Sequence, residues 1–203
     1  METAYTFDDV ALVPQYNNIN SRNDTELNTQ LTKNTNIRIP LICANMDTTI
    51  CGKLAEELIK NGSLPIFHRF TTFEQQKEWV LKYKENCYIS CGLNNINETI
   101  KLLNFGARGV CIDIAHGHSS QMINIIKEIK TKCQDKEIIA GNVCTPEAVQ
   151  DLYNAGADAV KCGVGPGSCC TTRMVTGFGV PQFSAIQKCA VVAKKLKIPL
   201  IAD

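Results

Sequence analysis

The segment Gly163–Arg173 concentrates residue types that could carry out nucleophilic chemistry. It combines three glycines with hydroxyl side chains and two adjacent cysteines, Cys169 and Cys170. Glycine lets the main chain turn tightly; the N–H groups of such a loop can bind an anion, and its carbonyls could equally ring a monovalent cation. A cysteine beside hydroxyls and near a following helix is a candidate thiolate nucleophile. The alternative is a glycine-rich connector with a passive cysteine.

Other residues that could contact a ligand stand directly after short apolar runs. They are Asn45, Met46, Asp47, His68, Arg69, Asp113, His116, His118, Asn142 and Asp203. In a parallel barrel the carboxyl ends of all strands lie on one face, where active sites form. We therefore expect these side chains to converge. His116 and His118 lack a third ligand of suitable spacing, so a hydrogen-bonded loop pair is favoured over a metal site.

The elements that must position these residues alternate between short apolar runs and amphipathic stretches. Strands are predicted at Ile39–Ala44, Leu64–His68, Tyr88–Cys91, Val110–Ile114, Ile138–Asn142, Ala159–Gly163 and Pro199–Asp203. Helices are predicted at Gly52–Lys60, Thr72–Lys84, Ile96–Asn104, Ser119–Lys132, Pro146–Ala155 and Gln182–Lys195. Repeated βα units with continuously apolar strands indicate a parallel sheet covered on both faces. The predicted fold is α/β, a parallel (β/α)8 TIM barrel covering about seven of eight strands, with residues 1–36 as an arm or hairpin and 37–203 as the partial barrel.

Composition limits the classes of function. The chain has 203 residues, 44% of them hydrophobic and 20% charged, which is typical of a globular domain. A net charge of +1 gives no basic field for nucleic acid or an anionic membrane. No apolar run approaches the roughly 20 residues of a membrane span, and the N-terminus does not resemble a secretory signal. The 11 scattered cysteines without a C-x-x-C pair argue against a disulfide framework or zinc site and favour a reducing, cytoplasmic location.

The glycine-rich loop and its continuation Thr176–Gln182 resemble the catalytic-loop signature of the IMP dehydrogenase/GMP reductase family. That signature reads G-[IV]-G-P-G-S-x-C-T-T-R, followed by [TA]-G-x-G-x-P-Q. Further family-like segments agree in order and spacing: Thr6–Val10, Ala44–Thr48, Ile112–Ser119, Ala140–Val143 and Pro199–Asp203. The resemblance covers essentially the whole chain and implies a TIM barrel that acts on purine nucleotides.

The resemblance also implies roles for individual residues. Cys170 matches the nucleophile that attacks C2 of the purine, and Thr172 matches the threonine that helps to activate water or ammonia. Substrate contacts are implied for Met46, Ser168 and Asp203. Residues on the dinucleotide side of the site are Asp113, Asn142 and Lys161. The carbonyls of Gly165, Gly167 and Cys170 match a loop that binds a monovalent cation, K+.

Two activities share this scaffold. GMP reductase converts GMP to IMP and ammonia with NADPH, and IMP dehydrogenase converts IMP to XMP with NAD. Residues 71–86 leave no room for the CBS modules of most dehydrogenases, and Asn45 is reductase-like, so GMP reductase is favoured. A dehydrogenase without CBS modules and an inactive nucleotide-binding fragment stay open. Because relatives continue with Gly-Gly after the position of Asp203, we expect a truncated chain that is inactive alone and a homotetramer if full length.

Overall fold

A computed structural model describes residues 3–167 and 170–203 of the chain. Its centre is a five-stranded parallel sheet in which each strand pairs with the next one along the sequence. The strands are β3 (Tyr88–Cys91), β4 (Gly109–Asp113), β5 (Glu137–Val143), β6 (Ala159–Cys162) and β7 (Leu200–Ala202). Two further short strands, β1 (Thr29–Gln30) and β2 (Asn36–Ile37), form an antiparallel hairpin.

Helices connect the strands, as βα units require. They are α1 (Gly52–Lys60), α2 (Phe73–Tyr83), α3 (Ile96–Asn104), α4 (Ser120–Lys132), α5 (Pro146–Ala155), α6 (Thr171–Thr176) and α7 (Gln182–Leu196). The start of α5 shows why they begin where they do: the Thr145 hydroxyl accepts the N–H of Ala148, and Pro146 occupies the first helical position. The same helix ends at Gly156, whose φ of 112° lies in the left-handed region. None of the described helices is both long and apolar enough to cross a membrane.

Alternate residues of each strand face two different cores. In β4, Val110 and Ile112 pack in the layer between sheet and helices, whereas Cys111 points into the concave interior. At the amino-terminal ends of the strands, Leu31 and Ile37 of the β1–β2 hairpin join that interior core. The hairpin therefore closes the floor of the sheet, and the opposite, carboxyl ends are left to carry the site.

The strand prediction fails at the first two positions. Ile39–Ala44 is not a strand, and of Leu64–His68 only Ile66 forms an isolated parallel bridge, with Tyr88. A strand needs a neighbour that takes up its main-chain groups, and Ile39–Ala44 pairs with no strand in the described part of the chain; Pro40 also lacks an N–H. The parallel arrangement is confirmed from β3 to β7, and the barrel is not closed. The division at residues 36 and 37 stays a prediction.

Candidate active site

A buried lysine organises the carboxyl ends of the sheet. Lys161, in the middle of β6, is 6% exposed, and its Nζ lies 2.8 Å from Oδ1 of Asp203 and 3.4 Å from Oδ1 of Asp113. The Nζ group also donates to Oδ1 of Asn45 at 3.2 Å. Three separate parts of the chain are thereby fixed to one ammonium group. We call Lys161, Asp113, Asp203 and Asn45 the rim cluster.

The charge of Lys161 is stabilised by its neighbours. Burial by itself would lower the pKa of this ammonium group, but the neighbouring Cys111, Asp203 and Asp113 act in the opposite direction and leave the pKa of Lys161 raised. Burial also raises the pKa of the Cys111 thiol, so that thiol is neutral near pH 7 and the two carboxylates are the physically relevant partners. Lys161 therefore remains a fixed positive charge beside two carboxylates.

Amide side chains complete the rim cluster. Asn45 is 4% exposed, and its Nδ2 donates to Oγ of Ser90 at 3.0 Å and to Oδ2 of Asp113 at 3.1 Å. On the other side, Nδ2 of Asn142 donates to Oδ2 of Asp203 at 2.8 Å. Each carboxylate thus accepts from both an ammonium and an amide, which fixes its orientation.

Close main-chain packing makes this convergence possible. A Cβ atom on Gly141 would lie 2.5 Å from Cβ of Lys161. A Cβ atom on Gly163, the residue after β6, would lie 2.9 Å from the main-chain oxygen of Asp203. Neither contact is compatible with a side chain, so glycine at both positions allows the ends of β5, β6 and β7 to approach one another.

Cys170 lies at the amino-terminal end of α6, as the residue that precedes the first helical turn. Its main-chain N–H donates to the carbonyl of Gly167 at 3.1 Å, and its carbonyl accepts the N–H of Met174 at 3.1 Å. The N–H groups of Arg173 and Thr172 point at its sulfur, and the Thr172 hydroxyl also contacts it. The structure therefore brings Cys170 and Thr172 together.

This environment makes the Cys170 thiol more acidic. The N–H of Arg173 lowers the pKa of Cys170 most, and burial, the next largest effect, raises it. The N–H and hydroxyl of Thr172 and the charge of Arg173 also lower it, so the pKa of Cys170 is lowered overall. For two core cysteines burial raises the pKa: that of Cys91 rises to about 12, and that of Cys87 to about 12. Cys170 is thus suited to react as a thiolate, whereas Cys87 and Cys91 are inert core residues.

The loop before Cys170 requires glycine at Gly165. Its φ is 65°, and a Cβ atom there would lie 2.8 Å from the carbonyl oxygen of Phe178. The carbonyls of Gly167 and Cys170 each accept one main-chain N–H, and each oxygen keeps a second lone pair that a cation could use. The donor set thus fits a monovalent cation chemically. Ser168 lies outside the described residues.

Met46 is the remaining residue implied for substrate contact. It directly follows the buried Asn45 and is 53% exposed, so its thioether is free to cover an apolar ligand surface. The Met46 carbonyl accepts the N–H groups of Thr49 and Ile50, both at 3.0 Å, which fixes the turn that presents the side chain. Met46 is therefore next to the rim cluster in the chain and accessible.

Four buried polar atoms lack a hydrogen-bond partner in the described residues: Nδ1 of His68, Nε of Arg69, Oδ1 of Asn142 and Oε1 of Gln182. His68 and Arg69 follow the bridge residue Ile66, Asn142 lies near the end of β5, and Gln182 begins α7 beside the ends of β6 and β7. A polar ligand could satisfy these atoms. Arg69 also lines a cavity of about 330 Å³ that extends over Ser90 and Gly92 at the end of β3. This cavity lies beside β3 and α3, and neither the rim cluster nor Cys170 lines it; Arg69 is the residue that it shares with the unpaired polar groups.

Two residues of this region, Ser90 and Gln182, were not predicted as site residues. Each is a common polar residue at the end of an element, and their burial, 1% for Ser90 and 7% for Gln182, is visible only in the fold. His116 is exposed and His118 pairs with Asp151 at 2.9 Å. Within residues 3–167 and 170–203, no three His, Cys, Asp or Glu side chains are grouped so as to hold a metal ion.

Comparison with known proteins matches residues 4–203 to the IMP dehydrogenase / GMP reductase domain. The chain belongs to the IMP dehydrogenase/GMP reductase family. The family's TIM-barrel fold agrees with the parallel β/α order seen here.

Individual members of the family are similar over nearly the whole chain. A GMP reductase of Lactobacillus acidophilus is 39% identical over 209 residues, covering 98% of this chain and 62% of the relative. A GMP reductase of Bacillus licheniformis is 39% identical, covering 100% of this chain and 64% of the relative. An inosine-5'-monophosphate dehydrogenase of Cryptosporidium parvum is 36% identical, covering 98% of this chain and 60% of the relative. The chain spans roughly three-fifths of the length of these relatives.

Proposed function

We propose that this chain forms the nucleophile-bearing part of a GMP reductase, a purine nucleotide oxidoreductase that converts GMP to IMP and ammonia with NADPH. The observation that carries the proposal is the position of Asn45, the reductase-like residue of the family, inside the rim cluster. There it contacts both Lys161 and Asp113, next to the accessible Met46. The relatives named GMP reductase support the same activity.

In the proposed reaction the Cys170 thiolate adds to C2 of the purine and forms an S–C2 bond. The bond between C2 and the exocyclic amino nitrogen then breaks, and the amino group leaves as ammonia after it has taken a proton. Thr172, whose hydroxyl lies beside the sulfur, is the group that would assist this proton transfer. Dividing the substitution into two steps through a covalent intermediate lowers each barrier.

NADPH would supply the hydride that replaces the lost amino group at C2. The S–C2 bond breaks as IMP is released, and its electron pair returns to the Cys170 sulfur. Asp113, Asn142 and Lys161 would orient the dinucleotide, with the unpaired Oδ1 of Asn142 as an available acceptor. K+ would be held by the carbonyls of Gly165, Gly167 and Cys170 and would stabilise the shape of the loop.

For the nucleotide itself, Asp203 would accept the ribose hydroxyls, Met46 would pack on the base, and Ser168 would contact the phosphate. A carboxylate is suited to the ribose because it accepts two hydrogen bonds at once. In Asp203 the carboxylate is already oriented by Lys161 and Asn142. A homotetrameric assembly in the cytoplasm completes the proposal; the free thiols of the described cysteines are compatible with a reducing compartment.

A trapping experiment tests the nucleophile. A 2-chloropurine ribonucleotide should alkylate Cys170, because the S–C2 bond forms while the C–Cl bond breaks and chloride leaves. We expect one adduct on Cys170 by peptide mass spectrometry, none on the exposed Cys51, and none in Cys170→Ser. Equal labelling of Cys51 and Cys170 would overturn the proposal.

Protection from the same reagent distinguishes the two activities. The reductase binds GMP and IMP, whereas the dehydrogenase binds IMP and XMP. We expect GMP to slow trapping of Cys170 at concentrations where XMP has no effect. Protection by XMP but not GMP would replace the reductase by an IMP dehydrogenase without CBS modules, the activity to which the Cryptosporidium parvum relative points.

A further inference from the structure

We propose that Gln182 is a positioning residue that fixes Asp203 relative to the loop carrying Cys170. The inference rests on the proposed function, since it concerns how the nucleotide is held at a fixed distance from the Cys170 thiol. Gln182 is the first residue of α7 and follows directly after that loop. It therefore stands where the loop, β6 and β7 meet.

The side-chain amide of Gln182 joins the ends of two neighbouring strands. Its Nε2 donates to the carbonyl of Cys162, the last residue of β6, at 2.8 Å. It also donates to the main-chain oxygen of Asp203, just beyond β7, at 2.8 Å. One side chain thus holds both main chains, in addition to the ladder bond from the Asp203 N–H to the Cys162 carbonyl at 3.0 Å.

The chemistry of the two partners determines which end of the carboxamide faces them. Both partners are oxygen acceptors. Of the two ends of the Gln182 carboxamide, the NH2 end can donate to two acceptors at once, and the oxygen end cannot donate. Gln182 is 7% exposed, and its Oε1 has no hydrogen-bond partner among the described residues. A buried unpaired oxygen is unfavourable, so the donor end must contribute enough to keep this side chain in place.

The same side chain closes the base of the loop. The N–H of Val180 donates to the carbonyl of Val164 at 3.0 Å, so the two ends of the segment meet there. Immediately below, a Cβ atom on Gly163 would lie 3.2 Å from Nε2 of Gln182 and 2.9 Å from the Asp203 oxygen. The contact is therefore built around a glycine, and it links the start of the loop, its end and β7.

This arrangement divides the control of Asp203 between two partners. Lys161 and Asn142 orient its carboxylate, whereas Gln182 holds its main chain against the start of the loop. Without Gln182, the main chain of Asp203 would keep its ladder bond to the Cys162 carbonyl and the pairing of β7 with β6, but it would lose the side-chain contact beside Gly163. The Asp203 carboxylate would still contact Lys161 and Asn142, but it would not be kept at a constant distance from the thiol.

The test compares Gln182→Met, which keeps the length of the side chain and removes both donors, with Gln150→Met. Gln150 is the matched control, because its amide bonds only to Asn154 on the exposed face of α5. We expect Gln182→Met to weaken GMP binding at least tenfold in equilibrium dialysis and to change the iodoacetamide rate of Cys170 at least threefold relative to Cys51. We expect Gln150→Met to change neither.

A purely structural role would appear differently. It would lower the unfolding temperature of Gln182→Met and leave GMP affinity and Cys170 alkylation unchanged well below that temperature. That result would overturn the proposal. If the parent chain does not bind GMP, the proposed nucleotide function fails; the alkylation rates still decide whether Gln182 positions the loop.

A measurement on the unaltered chain covers the case in which the variant does not fold. Two buried hydrogen bonds should protect the side-chain amide protons of Gln182 from exchange with solvent. The half-buried Gln150 makes its one side-chain hydrogen bond at the surface, so its amide protons should exchange rapidly. Side-chain amide exchange rates from NMR should therefore differ at least tenfold between these two glutamines. Equal rates would contradict the proposed contact.

Discussion

Two buried charged clusters lie at opposite ends of the same sheet, and they are built differently. At the amino-terminal ends, the Glu137 carboxylate accepts hydrogen bonds from the hydroxyls of Thr32, Thr35 and Tyr88, with Arg108 3.8 Å away. We call this the floor cluster. At the carboxyl ends, the rim cluster surrounds the Lys161 ammonium group with carboxylates and amides. The floor cluster places three hydroxyl donors and one more distant guanidinium around an anion, whereas the rim cluster places two carboxylates and an amide around a cation.

The two clusters also differ in how complete they are. Glu137 has an 8% exposed side chain, and no atom of the floor cluster is among the unpartnered buried atoms of the described residues. In the rim cluster, the side chains of Asp113 and Asp203 are 23% and 28% exposed, and the neighbouring Asn142 and Gln182 keep unpaired oxygens. The polar atoms of the floor cluster are thus satisfied within the described protein, whereas the residues beside the rim cluster keep unpaired oxygens.

Removal of the Glu137 carboxylate should have the largest effect on stability. Glu137→Ala leaves the hydroxyls of Thr32, Thr35 and Tyr88 without their shared acceptor and removes the ion-pair partner of Arg108. An unpaired buried polar group costs about 1–3 kcal/mol, so the variant should lose about 3–5 kcal/mol. Urea unfolding followed by circular dichroism measures the change. Glu128→Ala, which removes an exposed pair with Lys132, is the control and should stay within about 0.5 kcal/mol. A similar loss of unfolding free energy in Glu137→Ala and Glu128→Ala would contradict the difference between the buried floor cluster and an exposed ion pair.

Glycine substitutions compare the tightness of packing at the two ends. A Cβ atom on Gly109 would lie 2.3 Å from the carbonyl oxygen of Glu137, whereas among residues 3–167 and 170–203 the nearest atom to one on Gly167 is the Cys170 nitrogen, at 3.9 Å. Gly109→Ala should therefore destabilise the chain by about 1–3 kcal/mol, the usual cost of overpacking, and Gly167→Ala should be nearly neutral. Thermal unfolding of both variants checks this. Equal unfolding midpoints would show that the main chain around Gly109 and Glu137 can move to accommodate the added methyl group.

Lys161→Met should have a smaller effect on stability, about 1 kcal/mol, because the two carboxylates left behind are partly solvated and the cost of burying the ammonium disappears. The pKa of Lys161 is raised in the folded chain, so its contribution is complete below the unfolded value of about 10.4 and is lost as pH rises above it. The difference in unfolding free energy between wild type and Lys161→Met should therefore shrink between pH 9 and pH 11.5, measured by urea titration. A difference in unfolding free energy that grows with pH would contradict a raised pKa of Lys161 in the folded chain.

The smallest expected effect is on reactivity alone. Thr172→Val removes the hydroxyl beside the Cys170 sulfur and keeps the shape of the side chain. One lost hydrogen bond, about 1 kcal/mol, corresponds to a roughly fivefold slower alkylation of Cys170 near neutral pH. Thr171→Val on the same helix is the control and should not change the rate. Unfolding free energies should be the same for both variants; if only stability changes, the hydroxyl serves the fold.

Local sequence signals account for most of the elements. The predicted bounds of Gly52–Lys60, Ile96–Asn104 and Pro146–Ala155 agree with the structure. Each helix is followed within two residues by a glycine of positive φ, and Thr145 caps the start of the third helix, whereas Asn95 makes no side-chain cap at the start of the second. The short helix α6 was not predicted, since it lies within a glycine-rich loop. Ile39–Ala44 has the apolar composition of a true strand, and nothing local indicates whether a neighbour is present to pair with it.

The site was less accessible to sequence reasoning. Resemblance identified Lys161, a single charge in an otherwise apolar strand, and the structure shows that it joins Asp113 and Asp203. The role of Gln182 was missed, because its partners are main-chain oxygens, which leave no pattern in the sequence. Glu137 was missed for another reason: its hydroxyl partners Thr32 and Thr35 are more than 100 residues away along the chain.

That separation has a consequence for how the chain folds during synthesis. The β1–β2 hairpin leaves the ribosome with Leu31 and Ile37 on its surface, and its anchor Glu137 follows 105 residues after Thr32. At roughly 5–20 residues per second, this interval is on the order of 5–20 s. During that time the strands against which the hairpin packs are not yet synthesised, and its apolar face is accessible to chaperones or to other nascent chains. Contacts between residues so far apart in sequence also slow folding, so docking of the β1–β2 hairpin on the sheet should be a late event on the folding pathway.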